Sequence, residues 1–192
     1  MATPIHVTER PPGALDDVPT PNNSVSGMTC RQCSVGAFRQ DVFTLTNVNV
    51  TMTDGGANGS IGNIKLYNDT PAAFLEIQRF RWNFTSIARV STGIIATATV
   101  KAAVGVAAET ASDSFGTTGA ATIVASASAS AMVAGVTTGF RGVNGTTPNI
   151  TDATAGAEDV FINFGIADAG STATDALTVS GTITVTYYLS GV

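Results

Sequence analysis

The segment Leu177-Thr-Val-Ser-Gly-Thr-Ile-Thr-Val-Thr-Tyr187 alternates apolar side chains with small polar ones. Successive side chains of a β-strand point to opposite faces, so this alternation predicts a strand with one buried and one polar face. The same period recurs upstream, in the ranges 43–52, 64–66, 75–84 and 160–166. Seven or eight such strands at this spacing indicate an all-β chain, a single jelly-roll-like β-sandwich rather than a series of βαβ units.

The composition agrees with this fold and excludes several functions. The chain has 29 Thr, 28 Ala and 20 Gly, and only 12% charged residues, which does not favour salt-bridged helices. A net charge of −5, from 9 basic and 14 acidic residues, argues against nucleic acid as a partner. Lys101 interrupts the best apolar run, so we expect no membrane span. With one histidine, His6, and no Gly-x-Ser-x-Gly motif, we expect no enzymatic activity, cofactor or small-molecule substrate.

Three local patterns refine the strand prediction. The apolar phase slips near Thr46–Asn47, which predicts a β-bulge or a strand break there. The glycine-rich range 54–62 lacks the lysine of a phosphate-binding loop and is interpreted as a hairpin loop. In Arg79-Phe-Arg-Trp82 the two arginines point away from the aromatic rings, so we expect core on one side and solvent or a subunit contact on the other.

Residues 1–40 differ from the rest of the chain. They hold five of the seven prolines, which remove amide donors and fix φ, so we predict an extended N-terminal arm before a sandwich domain at 41–192. The start has no basic or apolar signal pattern, so we expect the protein to stay in a cytoplasm or to be assembled there. The expected partner contacts of the arm are Arg10, Pro11, Pro12, Arg31, Phe38 and Arg39.

Cys30 and Cys33, in the motif Cys-Arg-Gln-Cys, are the weak candidates for a metal site. They supply two ligands, or three with His6, whereas structural zinc normally takes four. A redox pair would open a helix beside a βαβ sheet, and no such pattern follows the motif. We therefore expect reduced structural cysteines, with metal binding as the open alternative.

Two parts of the chain resemble structural proteins of tailed bacteriophages. The first is Gly62-Asn-Ile-Lys-Leu-Tyr-Asn-Asp-Thr-Pro-Ala-Ala-Phe-Leu-Glu-Ile77. The second comprises Val160-Phe-Ile-Asn-Phe-Gly-Ile-Ala-Asp168 and the alternating segment 177–187. In that family, small β-sandwich proteins serve as cement, or decoration, proteins of the head. The resemblance extends over 43–192 in spacing, but the chain differs in its Pro-rich arm and in Asn68-Asp-Thr-Pro71, where the family tends to have an acidic-Phe-Pro turn.

The resemblance implies a structural virion protein on the capsid surface, assembled in the host cytoplasm. Its implied partners are the major capsid protein and neighbouring copies of itself. The low charge of the chain and the small residues that face outward on its last strand predict extensive subunit contacts and a homotrimer. The matching residues are packing motifs, so no active site is implied. A carbohydrate-binding head fibre or adhesin module is the alternative function; it needs exposed aromatic platforms, whereas most aromatic residues here fall on predicted inner faces.

Overall fold

The computed structural model describes residues 20–35, 38–54, 59–71, 75–90, 94, 98–110, 113–115, 121, 124–131, 136–137, 140–143, 157–166 and 175–189. Within these ranges the chain forms twelve β-strands. In chain order they are β1 Thr20–Pro21, β2 Met28–Val35, β3 Phe38–Thr51, β4 Thr53–Asp54, β5 Ser60–Pro71, β6 Leu75–Arg89, β7 Thr99–Gly105, β8 Val124–Ala131, β9 Val136–Thr137, β10 Phe140–Val143, β11 Ala157–Ile166 and β12 Ala176–Leu189.

The strands form two antiparallel sheets with jelly-roll connectivity. The front sheet has the order β10-β6-β12-β3-β2, with β9 beside β6; the back sheet has the order β1-β5-β11-β7-β8, with β4 beside β5. The jelly-roll order is seen in the eight strands that remain when β1, β2, β4 and β9 are left aside, namely β3, β5, β6, β7, β8, β10, β11 and β12. When these are numbered one to eight along the chain, the sheets read 6-3-8-1 and 2-7-4-5, which is the jelly-roll order. The prediction of an all-β, jelly-roll-like sandwich is confirmed.

The hydrophobic core lies between the two sheets and follows the predicted alternation. Trp82 and Ile183 of the front sheet and Ile162 of the back sheet are almost completely buried. The rings of Phe84 on β6 and Phe164 on β11 join the sheets, with centroids 5.5 Å apart. Burying such aromatic and branched side chains is the main favourable contribution to folding, so these inward positions hold the sandwich together.

The predicted irregularity near Thr46–Asn47 is a β-bulge within the continuous strand β3. Val48 pairs with Val179 and Leu45 with Gly181, so Thr46 and Asn47 together face the single residue Ser180. Asn47 has a positive φ of 49°, and its backbone N–H donates to the hydroxyl oxygen of Ser180 at 2.9 Å. The bulge explains why the apolar phase changes in the middle of β3.

β5 pairs with β4 on one part of its length and with β11 along most of it. Thr53 pairs with Ile61 and Asp54 with Ser60, so β4 and β5 form a hairpin across the glycine-rich range, as predicted. β5 pairs with β11 over most of its length, which brings Ile64 opposite Ile162. The two separate parts of the chain that carry the family resemblance are therefore hydrogen-bonded neighbours.

The folded domain begins well before residue 41, which corrects the predicted arm boundary. β2 pairs with β3 without irregularity from Met28–Leu45 to Val35–Phe38. Met28 belongs to the hydrophobic core, and the buried side chain of Asn22 donates to the backbone carbonyl of Lys65 at 3.1 Å. The described residues between 20 and 40 are thus held by sheet pairing and burial, since the prolines expected to prevent packing lie mostly before them. Residues 1–19 lie outside the described part of the chain.

Candidate functional site

The outward-facing side of the front sheet is a broad polar surface, which we call the arginine face. It is defined by Arg31 of β2 and by Arg79 and Arg81 of β6, all exposed. Pairing sets Arg31, Val42, Thr184 and Arg81 in one row across β2, β3, β12 and β6. The adjacent row contains Cys33, Gln40, Thr186 and Arg79.

The arginine face differs in charge from the back sheet. On the back sheet, Lys65 contacts Asp159 at 2.5 Å, and Lys101 contacts Asp113 at 2.8 Å. Among residues whose side chains are described, the arginine face carries no acidic group. Its three arginines form no ion pair within that part of the structure. The described part of the face is therefore positive on a chain whose net charge is −5.

An aromatic pair lies at one end of the same face. Phe38 of β3 and Tyr188 of β12 are paired in register. Their rings meet edge to face with centroids 5.4 Å apart. Tyr188 is 41% exposed, which makes its ring available to a partner or ligand. Glu76 pairs with Tyr188 in the backbone register, but its side chain is outside the described set.

A buried polar cluster lies behind this end of the front sheet, between the two sheets. Asp41 of β3 is 1% exposed, and its Oδ2 accepts three hydrogen bonds. The donors are the Tyr67 hydroxyl at 2.8 Å, the Tyr187 hydroxyl at 3.1 Å and the Gln32 amide at 3.3 Å. Because Tyr67 lies on β5 and the other donors on β12 and β2, the carboxyl group ties both sheets together.

Burial decides how the groups of this cluster titrate. It raises the pKa of Asp41, while the hydrogen bonds from Tyr67, Gln32 and Tyr187 and the positive charge of Arg39 act in the opposite direction. Burial and the nearby Asp41 also raise the pKa of both tyrosines, that of Tyr67 well above its usual value. The neutral forms of these tyrosines are therefore favoured in the folded protein.

The two cysteines lie on opposite faces of β2. Cys30 packs against the hydrophobic core, and burial, with smaller contributions from Asp41 and Cys33, raises its pKa to about 12. Cys33 is three residues further along the regular strand and therefore points outward, beside Gln40. Both are free thiols. The strand geometry prevents them from acting together as two ligands of one metal ion.

The other predicted contact residues have different environments. Arg31 is exposed on the arginine face, and Phe38 forms the aromatic pair with Tyr188. Arg39 lies on the inner side near Asp41, and its buried Nε makes no hydrogen bond to the described residues. His6, Arg10, Pro11 and Pro12 lie outside the described residues.

Two kinds of feature are absent from the described part of the chain. Within the described ranges, no group of three or more His, Cys, Asp or Glu residues is placed to hold a metal ion. The same ranges contain no helix long and apolar enough to cross a membrane. The described side chains of this face supply guanidinium groups, hydroxyls, the thiol of Cys33, the amide of Gln40 and one aromatic pair.

The Asp41 cluster was not predicted from the sequence, although one signal for it is present. Asp41 shares the strand phase of Phe43 and Leu45, so an acidic residue occupies a position that alternation assigns to the core. Tyr67 does not follow the phase of Ile64 and Leu66. A register shift between Val160 and Phe161 of β11 accompanies the consecutive burial of Leu66 and Tyr67.

Comparison with known proteins adds no relative: no protein-family model, no curated protein and no solved structure matches this chain.

Proposed function

We propose that the chain is a structural virion protein, a cement protein that binds the major capsid protein and stabilises the head of a tailed phage. The observation that carries this proposal is the jelly-roll topology, in which the two resembling parts of the sequence become neighbouring strands. Jelly rolls are used by viral capsid domains as well as by lectins, so the fold supports the proposal by analogy.

The proposed activity is stabilisation of the assembled shell by selective binding. A protein that binds only the assembled capsid stabilises it by its binding free energy, which increases with the concentration of free protein. We propose that the protein acts as a homotrimer at the capsid surface after assembly in the host cytoplasm. The Pro-rich residues before Thr20, including Arg10, Pro11 and Pro12, are proposed to add extended contacts to neighbouring subunits.

Co-sedimentation with decoration-free heads of the encoding phage tests this proposal. The wild-type protein should pellet with heads to a saturating stoichiometry and should raise the temperature at which the heads lose their DNA. Bovine serum albumin at equal concentration provides the negative control. Failure to pellet with intact heads, together with unchanged head stability, would contradict the proposal.

A carbohydrate-binding head fibre or adhesin module remains the second candidate function. It is favoured by one observation, the exposed ring of Tyr188 beside Phe38. Aromatic rings present an apolar body with a polar tip, which suits the face of a sugar ring. If this function is correct, wild-type protein should bind a glycan array, and Tyr188→Ala should lose that binding while Val90→Ala, at another exposed position, should retain it.

A further inference from the structure

We propose that the arginine face binds a second copy of this chain, in a heterologous contact that repeats around a closed ring. This inference rests on the homotrimer of the proposed function and identifies the surface that would build it. It is independent of whether the protein binds a capsid, because the contact is between copies of the chain alone.

The first argument is the charge of the face. Arg79 and Arg81 are two residues apart on β6, and Arg31 is three strands away from Arg81. At a strand spacing of about 4.8 Å, Arg31 and Arg81 are roughly 14 Å apart, so the positive charges lie near both edges of this face of the sheet. All three are exposed, and within the described structure none is neutralised by an acidic side chain.

The second argument is that another copy of the chain is itself an anionic partner. Apart from the three arginines, the chain has six basic residues (9 − 3) against 14 acidic ones. Four of those acidic residues, Asp41, Glu109, Asp113 and Asp175, are buried. The remaining ten acidic residues (14 − 4) still outnumber the six basic ones, so the rest of a neighbouring copy carries a net charge opposite to that of the arginine face. Complementary charge of this kind steers association and sets the orientation of the two partners.

The third argument is the residue composition of the face. Arginine and aromatic residues are enriched at protein–protein interfaces, whereas lysine and acidic residues are depleted. The described part of the face contains three arginines and the Phe38–Tyr188 pair, and its other side chains are mainly threonine. The middle of the face consists of short, partly or fully buried threonine side chains, those of Thr182, Thr184 and Thr186. Because these side chains project little from the sheet, another protein surface can approach the backbone closely there.

Charge also determines the symmetry of the contact. A two-fold dimer would place the arginine face of one copy against the same face of its partner, which like charges disfavour. The face must therefore meet a different, acidic part of the neighbour. Such a heterologous contact forms a ring when the rotation closes, and a trimer is a small closed ring.

Sedimentation velocity of the purified full-length protein tests the inference. Wild type should form a trimer at low ionic strength and dissociate in 1 M NaCl, where the screening length falls to about 3 Å. Arg79→Glu/Arg81→Glu should weaken association roughly tenfold or more. Arg81→Gln should weaken it less. Lys65→Gln on the back sheet removes the same charge as Arg81→Gln and should not weaken the trimer.

Several results would overturn the inference. These are a wild-type monomer at all concentrations and salt conditions, a dimer in place of a ring, or a trimer that the arginine substitutions leave unchanged. Thermal melts of every variant show whether each one is folded, and the salt titration of wild type provides a test that needs no substitution. If Arg81→Gln lost binding to heads while the trimer persisted, the face would bind the shell, which contradicts this inference but supports the proposed function.

Discussion

Replacing Tyr67 by Phe tests whether the buried Asp41 cluster joins the two sheets. The substitution removes one hydroxyl from a side chain that is 2% exposed and leaves its ring in place. The ring keeps its edge-to-face contact with Phe43, at a centroid distance of 5.1 Å. The hydrogen bond to Asp41, at 2.8 Å, is the shortest of the three that the carboxylate accepts and comes from the opposite sheet.

The structure sets the size of the expected effect. A hydrogen bond to a charged group contributes about 1.5–3 kcal/mol, so the free energy of unfolding should fall by about 2 kcal/mol where Asp41 is ionised. In a protein of this length, such a loss lowers Tm by roughly 4–8 °C. When Asp41 is protonated, the lost hydrogen bond is between neutral groups and contributes about 1 kcal/mol, so the cost should be smaller.

The pH dependence has a defined sign. Burial raises the pKa of Asp41 above its ordinary 3.8, so the folded protein holds this proton more tightly than the unfolded chain. The resulting stability is present below pH 3.8 and is lost as the pH rises through the folded pKa. The hydrogen bond from Tyr67 lowers the pKa of Asp41. Tyr67→Phe should therefore raise the pKa of Asp41 further, and the protein should lose more stability at high pH.

Urea denaturation of wild type, Tyr67→Phe and Tyr188→Phe at pH 4 and pH 8 measures these differences. Tyr188 offers the matched control, because it loses the same hydroxyl from an exposed ring and should change stability by less than about 0.5 kcal/mol. The reasoning is refuted if Tyr67→Phe costs no more than Tyr188→Phe at pH 8, or if its cost is the same at both pH values.

Three further predictions concern the backbone, the domain boundary and the cysteines. Gly181→Ala should destabilise the protein by roughly 2–5 kcal/mol in urea denaturation, because Gly181 has a φ of +147° and an added Cβ would lie 2.6 Å from the Cα of Phe84; an effect below 1 kcal/mol would contradict this. Deleting residues 1–40 should abolish the cooperative thermal transition followed by circular dichroism, because it removes all of β2, including the core residue Met28; a deletion that melts like the full chain would restore the arm interpretation. Iodoacetamide at pH 8 should modify Cys33 before Cys30 in a mass-spectrometric time course, since burial raises the pKa of Cys30 to about 12; the reverse order would refute the assigned strand faces.

The elements that were predicted correctly are those in which local alternation and burial agree. On β12, Val179, Ile183 and Val185 are buried, and Thr182 and Thr184 face the other way. The bulge in β3 was also visible, because an extra residue shifts the apolar phase within a single strand. Such features depend on neighbouring residues, so one strand contains enough information to reveal them.

The features that were missed depend on contacts between distant parts of the chain. β2 has a weak apolar pattern, with Gln32 at an inward position, so only its pairing with β3 identifies it as part of the sheet. The Asp41 cluster needs Tyr67 from the opposite sheet and Tyr187 from 146 residues away. Periodicity reports the face of a strand but not which strand lies across from it, so this site could not be assembled from the sequence.

Cryo-electron microscopy of the native phage particle tests the proposed cement function. A reconstruction should show density for this jelly roll on the outer surface of the head, in three-fold arrangements of copies that contact the major capsid protein. Particles whose heads contain no copy of this chain, or in which the chain occurs only on a tail or receptor-binding fibre, would contradict the proposal.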